Sequence, residues 1–333
     1  MAARGLVNGR SPLRRSGRDL VFRCYPPELL SPHKKQKLTF WVSLFYSPRG
    51  TSNTGFLTCK TYIIVNAEMN SIKHFSLFLM YCLLSLPLTA QNTEVKSEEV
   101  TVKAMTYNTY SGRKMGIDKI ADVINKENPD IVSLQEIERN TKINPWDTPK
   151  KLSELTGMKY YYFVHALDIP SGGDYGNLIL SKYPICEEKS FKLSALKKGD
   201  YIRSFGYVKV LKEGKEFYFA TTHLDHKYED SARLLQINEI LSYVEQLDLP
   251  IILGGDLNSR RGSATMDAIQ RYFTVNCLSD GAPWTVPTPQ PSYPCDWLIY
   301  APNKAFVVKA YNVCYWADKE SDHFPVTATY VIR

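Results

Sequence analysis

The feature that most constrains the fold is the alternation of strand-like and helix-like stretches from residue 91 to residue 333. Apolar residues recur there with a period of two in some stretches and near 3.6 in others, which predicts strands and helices respectively. No Gly/Ser-rich linker separates these stretches. Because several strands accompany each helix, the pattern predicts packed sheets with helices outside them, in a single α/β domain.

Two helices are predicted, at residues 117–128 and 230–246, and Pro129 closes the first of them. The remaining periodic stretches predict strands. These predicted strands cover residues 101–107, 130–135, 159–166, 177–181, 204–211, 216–222, 250–253, 296–300, 305–311 and 325–332.

Residues 69–90 have the order of a secretory signal peptide. Lys73 and His74 precede an uncharged, mostly apolar run at residues 75–88, and Thr89-Ala90 offers small residues at its end. A helix of this length reaches only about 21 Å, short of a hydrocarbon core of roughly 30 Å. We therefore expect an exported protein, secreted or periplasmic, without a stable membrane anchor.

The preceding residues, 1–68, are basic and rich in Pro, Ser and Arg. A signal peptide must begin the translated chain, so two interpretations compete. Either Met69 is the true start and Met1 is misassigned, or residues 1–68 form a disordered extension. The first is favoured.

Charge is distributed unevenly along the chain. Residues 1–90 hold 12 Lys and Arg against 3 Asp and Glu, whereas residues 91–333 hold 29 against 31. Proteins that bind nucleic acid through its phosphates carry a basic footprint. The near-neutral domain therefore disfavours a nucleic acid partner without excluding a local basic patch, and no feature predicts a protein partner.

Four cysteines follow residue 91, namely Cys186, Cys277, Cys295 and Cys314. No CxxC pair occurs, which argues against a structural zinc site. In an exported chain these residues could form disulfides or remain separate buried thiols, and the sequence leaves both alternatives open.

Polar residues follow the predicted strands at the points where the strands end. Strand ends that meet at one edge of a sheet are where α/β proteins place their sites. Any one of these residues has an ordinary alternative as a turn residue or helix cap. The set comprises Asn108, Glu136, His223, Asp256, Asn258, Asp296, Asp322 and His323.

The chemistry of this set is coherent. Glu136 and Asp322, with Asn108 as a neutral oxygen donor, suit a hard cation such as Mg²⁺. Two histidines among carboxylates suit acid–base chemistry near neutral pH. Neither a phosphate-binding GxxxxGK[ST] loop nor a GxSxG nucleophile elbow occurs.

Seven motifs follow one another along the chain, namely TYN, LQE, GNLILSKYPI, TTHLDH, GGDLNS, CDWLIY and SDHFPV. In this order they resemble the endonuclease/exonuclease/phosphatase superfamily, which includes pancreatic deoxyribonuclease and neutral sphingomyelinases. The resemblance runs from about Ala104 to Val326 and implies a deoxyribonuclease-I-like fold. That fold is a four-layer α/β sandwich of two packed, mostly antiparallel sheets flanked by helices.

The resemblance implies metal-binding roles for Glu136, Asn108 and Asp322. The implied cofactor is Mg²⁺, with Mn²⁺ or Ca²⁺ as alternatives. It also implies that Arg203, a weaker match, binds the substrate phosphate.

The catalytic roles follow from the same motifs. Asp256 and Asn258 match the pair that orients the attacking water and the phosphate. His323 matches the histidine at the scissile phosphate, which Asp296 orients, and His223 matches a general acid or oxyanion donor.

Two positions leave questions open. Cys295 stands beside Asp296 where the family often has isoleucine, so the cysteine either packs or forms a disulfide. Asp225 and His226 in HLDH either support the site or are ordinary solvated turn residues.

The predicted function is a secreted, metal-dependent hydrolase of phosphate mono- or diesters, with a small-molecule or lipid head-group substrate favoured. The alternatives are an extracellular nuclease acting on DNA or RNA, and a catalytically inactive binding module of the same fold.

Overall fold

The computed structural model describes residues 43–44, 59–60, 99–275 and 284–333. The chain divides into two units, Met1–Glu94 and Val95–Arg333. In the first, β1 (Ser43–Leu44) pairs antiparallel with β2 (Cys59–Lys60). The predicted signal peptide and Cys277 lie outside the described residues. Among the residues that are described, no helix is both long and apolar enough to cross a bilayer.

The second unit contains twelve described strands and four α-helices. The helices are α1 (Ile117–Glu127), α2 (Thr148–Thr156), α3 (Ser231–Val244) and α4 (Ala264–Gln270). The strands are β3 (Thr101–Asn108), β4 (Ile131–Arg139), β5 (Tyr160–Asp168), β6 (Asp174–Ser181), β7 (Ile185–Leu193), β8 (Arg203–Lys212), β9 (Lys215–His223), β10 (Ile251–Asp256), β11 (Thr274–Val275), β12 (Asp296–Ala301), β13 (Phe306–Val313) and β14 (Val326–Ile332).

Local signals set the helix ends. Helix α1 ends where Asn128 adopts a left-handed conformation, with its N–H donating to the Ile124 carbonyl. Pro129 disfavours helical geometry at the preceding residue, which explains why the helix stops there. Helix α2 begins at Asp147, whose side chain accepts a hydrogen bond from the backbone N–H of Lys150.

The strands form two six-stranded sheets. Sheet I has the order β13-β14-β3-β4-β6-β5, and sheet II has the order β11-β12-β10-β9-β8-β7. Each is antiparallel except for its central pair, which is β3–β4 in sheet I and β9–β10 in sheet II. The carboxyl ends of these two parallel pairs therefore define one polar edge in each sheet.

Three hydrophobic clusters hold the layers together. One lies between the sheets and includes Ile131 from sheet I and Phe219 from sheet II, both fully buried. Another packs the outer face of sheet I against α1 and α2, and the third packs sheet II against α3 and α4. The order of layers is helices, sheet, sheet, helices, and burial of these apolar faces stabilises it.

A polar contact joins the sheets within this core. The Ser133 hydroxyl lies 2.7 Å from the Thr221 hydroxyl and 2.8 Å from the Gly254 carbonyl oxygen. A Cβ at Gly254 would lie 3.0 Å from the Ser133 Cβ and 3.2 Å from the Thr106 Cβ. Glycine at position 254 therefore allows the sheets to approach closely, two residues before Asp256.

The predicted sandwich of mostly antiparallel sheets flanked by helices is confirmed. Every predicted strand and both predicted helices occur, with ends shifted by a few residues. Of the α-helices and strands in the second unit, four were not predicted, namely α2, β7, α4 and β11.

Candidate active site

The central strands of sheet II align three site residues side by side. His223 ends β9 and pairs with Asp256, which ends the parallel strand β10. Asp256 also pairs with Asp296, which begins the antiparallel strand β12. All three are at least 96% buried. Regular pairing alone therefore brings together residues that lie far apart in the sequence.

In sheet I, the site residue Glu136 lies at an irregularity in the strand pairing. Pairing of β4 with β6 shifts register between Leu134 and Ile137. Glu136 lies in this bulge with a φ of +59°, which is uncommon for a residue with a side chain. A β-bulge redirects a side chain, and backbone strain of this kind concentrates at functional sites.

Asn108, the last residue of β3, connects the two sheets. Its Nδ2 donates to Glu136 Oε1 at 3.2 Å and to Asp256 Oδ2 at 3.0 Å. Its Oδ1 accepts from the backbone N–H of Tyr110 at 3.1 Å. The amide NH₂ thus faces the carboxylates, and an oxygen contact from Asn108 to a cation stays a prediction.

His323 lies in the loop before β14, and its Nδ1 is 2.8 Å from Asp296 Oδ2. Burial disfavours the charged imidazole, but the charge and hydrogen bond of Asp296 outweigh burial and raise the pKa of His323 to about 10. The Thr285 hydroxyl accepts from the backbone N–H groups of Cys295 and Asp296 and so holds the backbone that carries this carboxylate.

His223 is the electrostatic opposite of His323. Its Nε2 lies 3.4 Å from Asp256 Oδ2, and its Nδ1 has no partner among the described residues. Burial, followed by the Arg203 charge, holds the pKa of His223 well below its ordinary value. Burial and the Asp296 charge raise the pKa of Asp256. The pocket therefore pairs a neutral histidine with a charged one.

Asn258 and Asp322 complete the predicted set. Asn258 has a φ of +47°; its N–H donates to Asp256 Oδ1 at 3.0 Å and its Nδ2 to the Leu224 carbonyl at 3.1 Å. Asp322 is half-buried, with Oδ1 3.3 Å from the Ser321 hydroxyl. Its charge reaches Glu136, whose pKa is raised first by burial and then by Asp322, against the hydrogen bond from Asn108.

Arg203, the first residue of β8, is only 5% exposed. Its Nη2 lies 3.3 Å from His226 Nδ1.

Tyr175 was not among the site residues predicted from the sequence, although it directly precedes the GNLILSKYPI motif. Burial and the Glu136 charge raise the pKa of Tyr175, whereas Arg203 beside its hydroxyl opposes the rise.

These side chains open into one cavity of about 910 Å³. Its wall combines the charged site residues with aromatic and aliphatic side chains from the surrounding loops. Asn108, Asp296 and Asp322 are not part of its lining. The predicted residues that line it are Glu136, Arg203, His223, Asp256, Asn258 and His323.

The carboxylates fit a divalent cation. Glu136 and Asp256 are desolvated with raised pKa values, and Asp322 adds negative charge beside them. A hard cation relieves such a cluster and prefers oxygen ligands. Potential ligand atoms of Asp256, Asp296 and His323 also lie within 4.8 Å of one another. His323 Nδ1 already bonds Asp296, so that group is better described as a hydrogen-bonded histidine–carboxylate pair.

Three of the cysteines that the structure describes are free thiols. Cys295 and Cys314 are buried free thiols, and Cys186 is an exposed one. Cys295 Sγ lies 4.0 Å from Asn258 Oδ1, so it packs beside the site. The alternative of a disulfide through Cys277 lies outside the described residues.

Comparison with known proteins agrees with this geometry. Residues 105–323 match the Endonuclease/Exonuclease/phosphatase family, and the chain belongs to that family. This confirms the resemblance recognised from the motifs.

A curated relative is sphingomyelinase C 1 of Leptospira interrogans serogroup Icterohaemorrhagiae serovar copenhageni (strain Fiocruz L1-130). It is 32% identical over an alignment of 127 residues, and the match covers 34% of this chain and 21% of that protein. The match therefore spans about a fifth of the relative's length.

Two solved structures share the fold. The endonuclease/exonuclease/phosphatase from Beutenbergia cavernae DSM 12333 has a TM-score of 0.60 at 23% identity, covering 70% of this chain and 72% of its own. The mannosyl-6-phosphatase from Bacteroides thetaiotaomicron VPI-5482 has a TM-score of 0.54 at 22% identity, covering 69% and 100%. At these identities the likeness concerns the fold.

Proposed function

We propose that this chain is a divalent-metal-dependent hydrolase of phosphate mono- or diesters. The observation that carries the proposal is the convergence of His223, Asp256 and the Asp296–His323 pair beside Glu136 at one cavity. A binding module of the same fold would need no such complete set, so a catalytically inactive role is disfavoured.

Glu136 and Asp322 would hold the cation, with Asn108 beside them. When bound, a hard divalent ion neutralises charge on a phosphate oxygen and lowers the barrier to its displacement. Mg²⁺ is the preferred ion because the donors are carboxylate oxygens, and Mn²⁺ or Ca²⁺ are alternatives.

Asp256 is positioned to orient the attacking water and to accept its proton. Its raised pKa brings it closer to neutral pH, where a general base works best. Asn258 fixes this carboxylate through its backbone N–H and is itself held by the Leu224 carbonyl.

The two histidines take different roles. With a pKa of about 10, His323 is an imidazolium at neutral pH, and Asp296 orients it to stabilise charge developing on the phosphate. This charge state disfavours the alternative in which His323 is the base. Neutral His223 presents its unpartnered Nδ1 as a further hydrogen-bonding group.

The favoured substrate is a small molecule or a lipid head group. The sphingomyelinase relative supports phosphoester chemistry on such a substrate. The balance of 29 basic and 31 acidic residues over 91–333 disfavours a tight nucleic acid binder.

Export through a signal peptide at residues 69–90 is part of the same proposal. Intact mass of the exported protein tests it, since a product that retains residues 1–68 contradicts it.

A substrate panel tests the activity. The panel holds bis-p-nitrophenyl phosphate, p-nitrophenyl phosphate, sphingomyelin, inositol phosphates and plasmid DNA, each assayed with Mg²⁺ and with EDTA. We expect hydrolysis of a small ester or sphingomyelin that EDTA abolishes and Mg²⁺ restores. The variant Asp256→Asn serves as the inactive control. Turnover restricted to DNA would support the nuclease instead, and EDTA-resistant turnover would contradict the metal requirement.

A further inference from the structure

Arg203 has the geometry of an anion-binding group that is held ready for use. The residue lines the cavity, yet its side chain is only 5% exposed. Its Nε is buried and has no hydrogen-bond partner among the described residues. A guanidinium presents its N–H groups in a planar fork that matches two oxygens of a phosphate. An unsatisfied N–H on such a buried fork points to a ligand.

Two groups contact this guanidinium, the hydroxyl of Tyr175 and the imidazole of His226. Arg203 Nη2 lies 3.3 Å from His226 Nδ1. Nδ1 can accept only when the imidazole is neutral and its proton is on Nε2. A carboxylate at the same position would also orient the guanidinium, but it would cancel the charge that attracts a phosphate. The imidazole orients the group and leaves its charge available.

The carboxylate next to His226 in the sequence has a partner in its own loop. The buried carboxylate of Asp225 accepts from the backbone N–H of Lys227 at 2.8 Å. The chain thus places a carboxylate one residue before His226 but uses the imidazole for the guanidinium.

The loop that carries His226 is braced from several sides. Arg233 donates to the carbonyl oxygens of Asp225 and Lys227, and the Gln236 side chain accepts from the Asp225 N–H at 2.9 Å. Lys227 forms an ion pair with Asp200. The ring of Tyr201, next to Asp200, contacts His226 edge-on with centroids 5.8 Å apart. This bracing keeps the imidazole at a fixed place beside Arg203.

We propose that His226 is a positioning residue that orients Arg203 toward the non-bridging oxygens of the bound phosphate without neutralising it. The proposal rests on the proposed function, in which Arg203 contacts the substrate phosphate. It also assigns the second histidine of the HLDH motif a role beyond that of a solvated turn residue.

Three substitutions in the full chain separate orientation from charge. His226→Asn retains a neutral acceptor, His226→Leu removes the acceptor, and His226→Asp supplies a charged one. Arg203→Gln removes the guanidinium and so measures the largest loss of phosphate affinity to be expected. His165→Leu is a matched control at a histidine outside the cavity. Isothermal titration with inorganic phosphate measures the Kd with Mg²⁺ and with EDTA, and thermal melting reports folding.

For His226→Leu we expect the phosphate Kd to rise about tenfold, the size of one lost hydrogen bond to a charged group. His226→Asn should lie within about twofold of the parent, whereas His226→Asp should weaken binding about as much as His226→Leu because its charge opposes the phosphate. With p-nitrophenyl phosphate, KM should follow Kd while kcat changes little. A structural role alone would instead make the losses follow Tm.

Phosphate affinity unchanged in both His226→Leu and His226→Asp would overturn the proposal, as would His226→Asn binding as weakly as His226→Leu. Should the leucine variant fail to fold, the Asn–Asp pair still decides, because equal affinities of those two contradict the role of charge. Phosphate binding requires no turnover. An inactive protein that keeps the expected Kd series would therefore refute the proposed function but not this inference.

Discussion

The two sheets build their halves of the site by different means. In sheet II, regular pairing aligns His223, Asp256 and Asp296, all deeply buried. In sheet I, the register breaks at the bulge that holds Glu136, whose backbone has a positive φ and whose side chain is half-buried. Regular strand pairing suits side chains that must keep a fixed position and stay shielded from water. A bulge at the edge suits a ligand that must meet an exchangeable cation from solvent.

Neither half is complete without the other. Asn108 of sheet I donates to Asp256 of sheet II, and His323, in the loop before β14 of sheet I, bonds Asp296 of sheet II. In the proposed function, sheet II supplies most of the catalytic groups, sheet I supplies the cation ligands together with His323, and two cross-sheet hydrogen bonds join them.

The largest effect is expected at the junction of the halves. Replacing Asp256 or His323 by alanine should lower kcat about 10⁴-fold, because each removes a group that acts on the reacting atoms. Steady-state kinetics on the best substrate measures the loss, and thermal melting checks the fold. The control is His165→Ala. Turnover within tenfold of the parent in either variant would break the proposed chemistry.

A smaller loss is expected when the orienting carboxylate is neutralised. Asp296→Asn should reduce kcat roughly 10²- to 10⁴-fold while preserving shape. Asp296 is also the main cause that raises the pKa of His323 to about 10. Its removal should lower that pKa, so the alkaline limb of the pH–rate profile should move toward lower pH. An unmoved alkaline limb would show that His323 does not act as the imidazolium.

Cation binding should be separable from catalysis. Glu136→Gln should raise the Mg²⁺ concentration for half-maximal activity by about 10- to 100-fold, with part of kcat recovered at high Mg²⁺. Titration of activity with Mg²⁺ measures the change. Asp296→Asn provides the comparison, since its half-saturating Mg²⁺ should stay near that of the parent. Equal shifts in the two variants would mean that the sheets do not divide the work.

The smallest effect is expected where the sheets touch away from the chemistry. Ser133→Ala removes the hydroxyl that contacts Thr221 and the Gly254 carbonyl and should lower the free energy of unfolding by about 1–3 kcal/mol. Denaturant titration measures it. The exposed Ser242→Ala is the control. A loss of kcat without loss of stability would contradict the view that Ser133 acts only by joining the sheets.

Much of this architecture was accessible from local patterns. The helical period that predicted a helix from Ile117 corresponds to the face of that helix that is buried. Strand β10 was predicted because it begins with a short apolar run. Strand β7 was missed because Glu187, Glu188 and Lys189 interrupt its alternation, as suits an edge strand with solvent on one side. Helices α2 and α4 are short and begin at the caps Asp147 and Ser263.

Within the site, the sequence by itself determined which polar side chains end the central strands, because strand ends and family motifs are local features of the chain. Only the tertiary structure decided how they meet. Asn108 and Asp256 are 148 positions apart and bond only when the sheets pack. The support from Thr285, the place of Tyr175 and the contact of His226 with Arg203 were likewise hidden. Hydrogen bonds between distant segments depend on packing, which no local period encodes.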